Sequence, residues 1–167
     1  MSELLVERRD AVAVLTLNRP EQRNALSHGL MGELIETLGR LRDDTAVRAL
    51  VLTAAGEKAF CAGGDLTSLA GDGAFAGHLA RRRYVELLEA LAEVGKPVVA
   101  AVNGAALGGG FGLALACDLV VAAEGSSFGT PEVKVGLFPM MVSALLVRHV
   151  GRKRAMELVL TGQRLSA

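Results

Sequence analysis

The chain has 167 residues, 51% of them hydrophobic, with 18 basic and 18 acidic side chains and a formal net charge of zero. That length suits one domain with a substantial core, and the apolar content excludes a disordered chain. The even charge balance argues against a nucleic-acid partner, which calls for a basic excess. The start, "MSELLVERRD", lacks the apolar run of a signal peptide. The long apolar tract from Pro97 to Ala123 is interrupted by Asn103, Asp118 and several glycines, so no membrane span is expected. A cytoplasmic location is the expectation. Cys61 and Cys117 read as separate buried thiols, and His28, His78 and His149 lack metal-ligand spacing, so no metal is expected.

In chain order, "LLVERRDAVAVLTLN" predicts a β-hairpin turning at Arg8–Asp10, with alternating residues in its second arm. "RPEQRNAL" is a polar loop. Ser27 is a good N-cap for a helix running to about Arg42, with Leu30, Leu34, Leu38 and Leu41 as its apolar stripe. "VRALVLTA" is a buried strand, and "AGEKAFCAGGDL" a loop with a short apolar centre. A helix from about Ala80 to Val94 presents Tyr84, Leu87, Leu88 and Leu91 on one face, with Arg81 to Arg83 as a solvated face. "KPVVAAVN" is a strand, Gly110 to Ala116 a short helix, and "DLVVAA" another strand. "EGSSFGTPEVKVGLFP" reads as a long loop. Two helices follow, about Met140–His149 and Arg152–Leu160. The alternation of strands and helices predicts an α/β fold with parallel pairing and no internal sequence repeat, residues 1–167 forming one domain.

The segment "NGAALGGGFGLALACD" carries Gly108, Gly109, Gly110 and Gly112 at the mouth of an apolar helix, where each glycine costs about 1 kcal/mol relative to alanine. A dinucleotide fingerprint fails because Leu113 stands where its third glycine belongs, and no Gly-Lys-Ser/Thr follows for a phosphate loop. "GSSFG" matches a hydrolase elbow with Ser127 as nucleophile and His149 downstream, but Thr130-Pro131 follows where that elbow needs a helix. A solvated turn is the better reading of that stretch. A third use of the glycines is to expose backbone N–H groups without a Cβ in the way. The "CAGGDL" loop offers a similar N–H, and two such donors converging form an oxyanion hole.

"NRPEQRNALS", "KAFCAGGDL", "KPVVAAVNGAALGGGFGLALACDLVVAAE" and "FGTPEVKVGLFP" occur in this order, and at about the spacing, of the crotonase (enoyl-CoA hydratase/isomerase) superfamily. The resemblance runs from about Val6 to the end of the chain. It implies a spiral of ββα units, an acyl-CoA thioester substrate, and a homotrimer or hexamer. No cofactor is implied, since coenzyme A is part of the substrate. Family chains normally continue past this length with helices that cover the site, so a truncated or unusually short member is expected.

Position by position, the resemblance implies that the N–H groups of Gly64 and Gly109 hold the thioester oxygen. It places Arg23, Ala25, Ala62, Asp65 and Leu66 along the CoA site, with helix capping and solvation as plainer roles for Asp65 and Arg23. Leu107, Pro131 and Leu137 match further substrate-lining positions, and Phe111, Phe138 and Met140 are candidates for the same apolar pocket. Family hydratases use two glutamates. The later one corresponds to Glu132, the earlier to Gly112. Gly112 lies three residues after Gly109, so a side chain there shares its helix face. A Gly112→Glu change is therefore expected to add a second carboxylate with the fold intact.

One carboxylate suits moving a proton from the α- to the γ-carbon, whereas hydration uses two positioned groups. Double-bond isomerisation is accordingly expected over hydration. Hydration proper, or acyl-CoA binding without turnover, are the alternatives, with the Ser127 hydrolase a remote one.

Overall fold

A computed structural model describes residues 2–65 and 73–167. The chain runs through four ββα passes. They are β1 (Leu4–Arg9), β2 (Val12–Leu17) and α1 (His28–Asp43), then β3 (Ala49–Ala54), β4 (Ala59–Cys61) and α2 (Gly73–Glu93). The third comprises β5 (Val98–Val102), β6 (Ala105–Leu107) and α3 (Gly109–Leu115). The fourth comprises β7 (Leu119–Ala122), β8 (Ser127–Gly129), a 3-10 turn over Pro131–Val135 and α4 (Met140–Thr161), and β9 (Arg164–Ser166) follows. One sheet has the order β1-β2-β3-β5-β7 and the other β4-β6-β8-β9. After the first pass, each leading strand thus joins the larger sheet and each trailing strand the smaller. The predicted α/β architecture, its parallel pairing and the spiral of ββα units are all present.

The hairpin β1–β2 is antiparallel and turns through Asp10, whose φ is 53°. From β2 onward the larger sheet is parallel. Leu15 faces Leu52, Leu52 faces Ala100, and Ala100 faces Val120. The first three of these are completely buried, whereas Val120 is 44% exposed. The row therefore leaves the core at β7.

Ser27 caps α1 as predicted, its Oγ accepting the Leu30 N–H at 2.9 Å. Leu30, Leu34 and Leu38 are buried along one stripe, and α1 packs on α2. Helix α2 begins at Gly73, earlier than the predicted Ala80. The extra residues include Gly73 and Gly77, whose low helix propensity hides the start. The two predicted final helices are both present within α4, separated where Gly151 takes φ 74° and ψ 159°.

The main core gathers Leu15, Leu17, Leu34, Leu50, Leu52 and Phe60 among others, under α1, α2 and α3. A second cluster joins Phe111 to Val142, Leu146, Leu158 and Val159, packing α3 on α4. Among the described residues no helix is long and apolar enough to cross a membrane.

Candidate functional site

Two loops meet beside α3. The backbone around Leu26 pairs with the glycine loop as an isolated parallel bridge to Gly64. Leu26 N–H donates to the Gly63 carbonyl at 2.8 Å, and Asp65 N–H to the Leu26 carbonyl at 3.2 Å. In this pattern the residue between the bonded pair turns its own N–H outward, so the Gly64 N–H points away from the Leu26 strand. Asn24 anchors the first loop. Its side chain is buried, accepts the Arg19 N–H at 2.9 Å, and donates to the Ala55 and Ala59 carbonyls at 2.9 and 2.8 Å. Asn24 and Arg23 both hold positive φ, near 54° and 51°.

Arg19 ties the two loops together. Its guanidinium meets Asp65 at 2.9 Å and Glu3 at 2.8 Å, with the Arg19 side chain only 14% exposed. It also donates to the Ala25 carbonyl at 2.6 Å. Arg19 and Asn24 escaped sequence reasoning, because a polar loop gives no sign of which side chains turn inward.

The four glycines at the mouth of α3 have four different reasons. Gly108 takes φ 52°, and a Cβ there would lie 2.7 Å from Glu132 Oε1. Gly109 opens α3, so its N–H has no helical partner. An ideal Gly109 Cβ would sit 3.7 Å from Gly64 N, so the two peptides are neighbours. Across from them, a Cβ on Gly63 would reach within 3.2 Å of Gly109 N and 2.9 Å of the Leu107 carbonyl oxygen. Gly110 presses its backbone on β4, where a Cβ would fall 2.2 Å from the Cys61 carbonyl oxygen. At Gly112 a Cβ would fall 2.2 Å from the Tyr84 hydroxyl and 3.1 Å from Val142.

That last contact corrects the expectation for Gly112→Glu. The volume beside Gly112 already holds a phenol from α2, so a glutamate there displaces Tyr84 rather than entering an open site.

Glu132 lies in the 3-10 turn that follows β8. Thr130, fully buried, fixes the approach by donating to the Leu158 carbonyl at 3.1 Å. Gly136 ends the turn in the left-handed region, and Leu137 N–H bonds the Glu132 carbonyl at 2.9 Å. The Glu132 carboxylate is aimed back at the glycine triplet. Its Oε2 is buried with no hydrogen-bond partner among the described residues. Burial pushes its pKa above the usual carboxylate value. It does not form the ion pair with Lys134 that a surface loop carboxylate would make.

Gly64, Gly109 and Glu132 therefore lie together, with Leu107 and Pro131 in the segments leading to them. Leu107 is buried and Pro131 half-buried. Ala25 and Ala62 sit on the paired loops, linked where Ala62 N–H donates to the Arg23 carbonyl at 3.0 Å. The Arg23 side chain is exposed beside them. Leu66 lies outside the described residues.

The candidates for the apolar pocket differ in exposure. Phe111 is a core residue, its ring 5.4 Å from that of Phe128. Leu137, Phe138 and Met140 are instead 56%, 58% and 72% exposed. Ser127 opens β8, paired on both sides by β6 and β9, and His149 is exposed on α4. A residue that leads into a paired strand and not into a helix is no nucleophile elbow, so the Ser127 hydrolase reading falls. Among the described residues no cluster of His, Cys, Asp and Glu could hold a metal ion. Cys61 and Cys117 are buried thiols, both pushed up to about 12 by burial, and inert at neutral pH.

A spiral of ββα units with two glycine N–H groups and a carboxylate at one point defines a crotonase-type fold. The pattern of the enoyl-CoA hydratase/isomerase family matches residues 7–167, and the chain belongs to that family. It is 45% identical over 165 residues to a probable enoyl-CoA hydratase of Rhizobium meliloti, covering 98% of this chain and 63% of the relative. It is 42% identical over 168 residues to the 2,3-dehydroadipyl-CoA hydratase of Escherichia coli, covering all of this chain and 65% of that one. The crystal structure of an enoyl-CoA hydratase from Bacillus anthracis superposes with a TM-score of 0.96 at 40% identity, over 99% of this chain and 65% of that chain. The chain thus spans a little under two thirds of the length of these relatives.

Proposed function

We propose that the protein to which this chain belongs is an enzyme acting on an acyl-CoA thioester through an enolate, with Glu132 as its proton shuttle. The observation that carries this reading is the buried, unpartnered Glu132 oxygen beside the glycine triplet. An isolated loop carboxylate has no reason to turn into the protein at that point.

In the favoured reaction a 3-enoyl thioester lies with its carbonyl oxygen between the N–H groups of Gly64 and Gly109. Glu132, ionised, takes a proton from the α-carbon. The C–H electron pair forms a double bond between the thioester carbon and the α-carbon, the carbonyl π pair moves onto the oxygen at the two donors, and the resulting dienolate keeps its β,γ double bond. The now neutral Glu132 returns the proton at the γ-carbon, giving the 2-enoyl thioester and the starting carboxylate. Burial helps here, because a carboxylate with a raised pKa is a stronger base. Arg23, Ala25 and Ala62 line the CoA moiety, while Asp65 and Arg19 brace the two loops. The scheme uses no cofactor beyond the CoA of the substrate.

Hydration is the second reading, favoured by the names of the relatives. It requires Glu132 to manage both the water and the α-carbon proton without a carboxylate at position 112. The test is to follow thioester absorbance with 2-enoyl- and 3-enoyl-CoA. Isomerisation should exceed hydration, and Glu132→Gln should lower turnover about 100-fold or more. Efficient hydration with poor isomerisation would reverse the order of the two readings. Near-normal turnover in the glutamine variant would remove Glu132 from the mechanism.

A homotrimer or hexamer is the proposed assembly. Its support is apolar surface on this chain, at Leu119, Val121, Val135, Leu137, Phe138 and Met140.

A further inference from the structure

Tyr84 is the one aromatic hydroxyl of the chain, and it is only 4% exposed. It reaches from α2 across to α3, donating to the Gly109 carbonyl at 2.7 Å. Its ring edge, Cε2, is 3.4 Å from where a Gly109 Cβ would be. Its oxygen fills the space beside Gly112. Burial raises its pKa, with the charges of Cys61 and Glu132 acting the same way, so the phenol stays neutral and serves as a donor rather than a base.

We propose that Tyr84 is a positioning residue for Gly109, acting through the Gly109 carbonyl, which lies in the peptide after the one that carries the Gly109 N–H. Its hydroxyl bond and ring contact hold Gly109 in the orientation that turns the Gly109 N–H to the substrate, and glycine at position 112 leaves room for that phenol. This rests on the reading of Gly109 as a donor to the thioester oxygen. The Tyr84 ring and the Gly63 backbone both pack against Gly109 and leave that residue little freedom. A donor displaced by even an ångström loses much of its effect on a developing charge.

Three variants test it: Tyr84→Phe, Gly112→Ala and the double variant. Tyr84→Phe keeps the ring and deletes one oxygen. It should lower kcat about 10-fold or more with KM changed less than about twofold, leaving the pH at which Glu132 titrates unchanged. Gly112→Ala pushes the hydroxyl aside and should reproduce that loss. In the Tyr84→Phe background the added methyl meets ring Cζ at 3.5 Å and the Val142 side chain at 3.1 Å, a contact that a shift of a few tenths of an ångström by that side chain relieves, so the alanine should add little further loss. Additive losses, or full activity in the Tyr84→Phe variant, would overturn the proposal.

A binding readout makes the outcome independent of turnover. Acetoacetyl-CoA ionises readily, and the absorbance of its enolate reports how well the two N–H groups hold the oxygen. Wild type should raise the bound enolate fraction, and Tyr84→Phe should lower it. An equal fraction in both would overturn the role of Tyr84 alone. No enolate enrichment in wild type would overturn the Gly109 donor reading, and this inference with it.

Discussion

At Glu132 the demands of folding and chemistry oppose each other. The native state raises this carboxyl's pKa through burial, while the unfolded chain leaves it near 4.5. The ionised form is therefore disfavoured in the native state, and stability is lost as pH rises through the native pKa. Below the ordinary value both states hold the proton and the penalty disappears. Glu132→Gln should therefore raise Tm at neutral pH, and this gain should shrink to nothing in acid below 4.5. Thermal melts of both proteins across that range are the check, and a gain independent of pH would mean the carboxyl is not strained by burial. The same residue shows what a sequence can and cannot reveal. Glu132 was legible through its family motif, and the glycine cluster was conspicuous on its own. The reason for Gly112 was not legible, since its neighbour Tyr84 stands in another helix and no local spacing links them.

Among the elements, long amphipathic helices and alternating strands announced themselves. Strands β4, β6 and β8 did not, because each has three residues, too few for any periodicity. Without them the local patterns did not show the ββα repeat, which came from the family resemblance alone and exists in the backbone without any repeated sequence. These short strands nonetheless set the site: β4 presses on α3, and β6 delivers the glycines. Two alanine substitutions separate tight from open backbone. Gly110→Ala puts a methyl 2.2 Å from a β4 carbonyl oxygen, where backbone must move, and should cost at least about 2 kcal/mol. Gly39→Ala, inside α1 with nothing within 4 Å, should stabilise by about 0.5–1 kcal/mol. Urea unfolding of the two variants gives both signs. A harmless alanine at position 110 would mean that α3 is free to slide from β4.

At the scale of the molecule, the larger sheet ends in a strand that little covers. Among the described residues β7 pairs only with β5, so its other edge offers unpaired backbone groups there. Leu119, Val120 and Val121 are 62%, 44% and 63% exposed, and successive residues face opposite sides of the sheet. The apolar surface therefore extends over both faces as well as the edge, which is what a strand covered by another polypeptide looks like and what an isolated edge avoids. Charge at such an edge opposes pairing with a second strand. Val121→Lys should thus weaken self-association, seen in sedimentation velocity as a shift toward the monomer at equal protein concentration. Because the side chain is largely in solvent, its effect on the unfolding free energy of the monomer should stay within about 0.5 kcal/mol. Loss of assembly with an unchanged monomer would identify β7 as part of the contact between copies. An unchanged sedimentation profile would exclude β7 from it, leaving the exposed turn from Val135 to Met140 as the surface to substitute next.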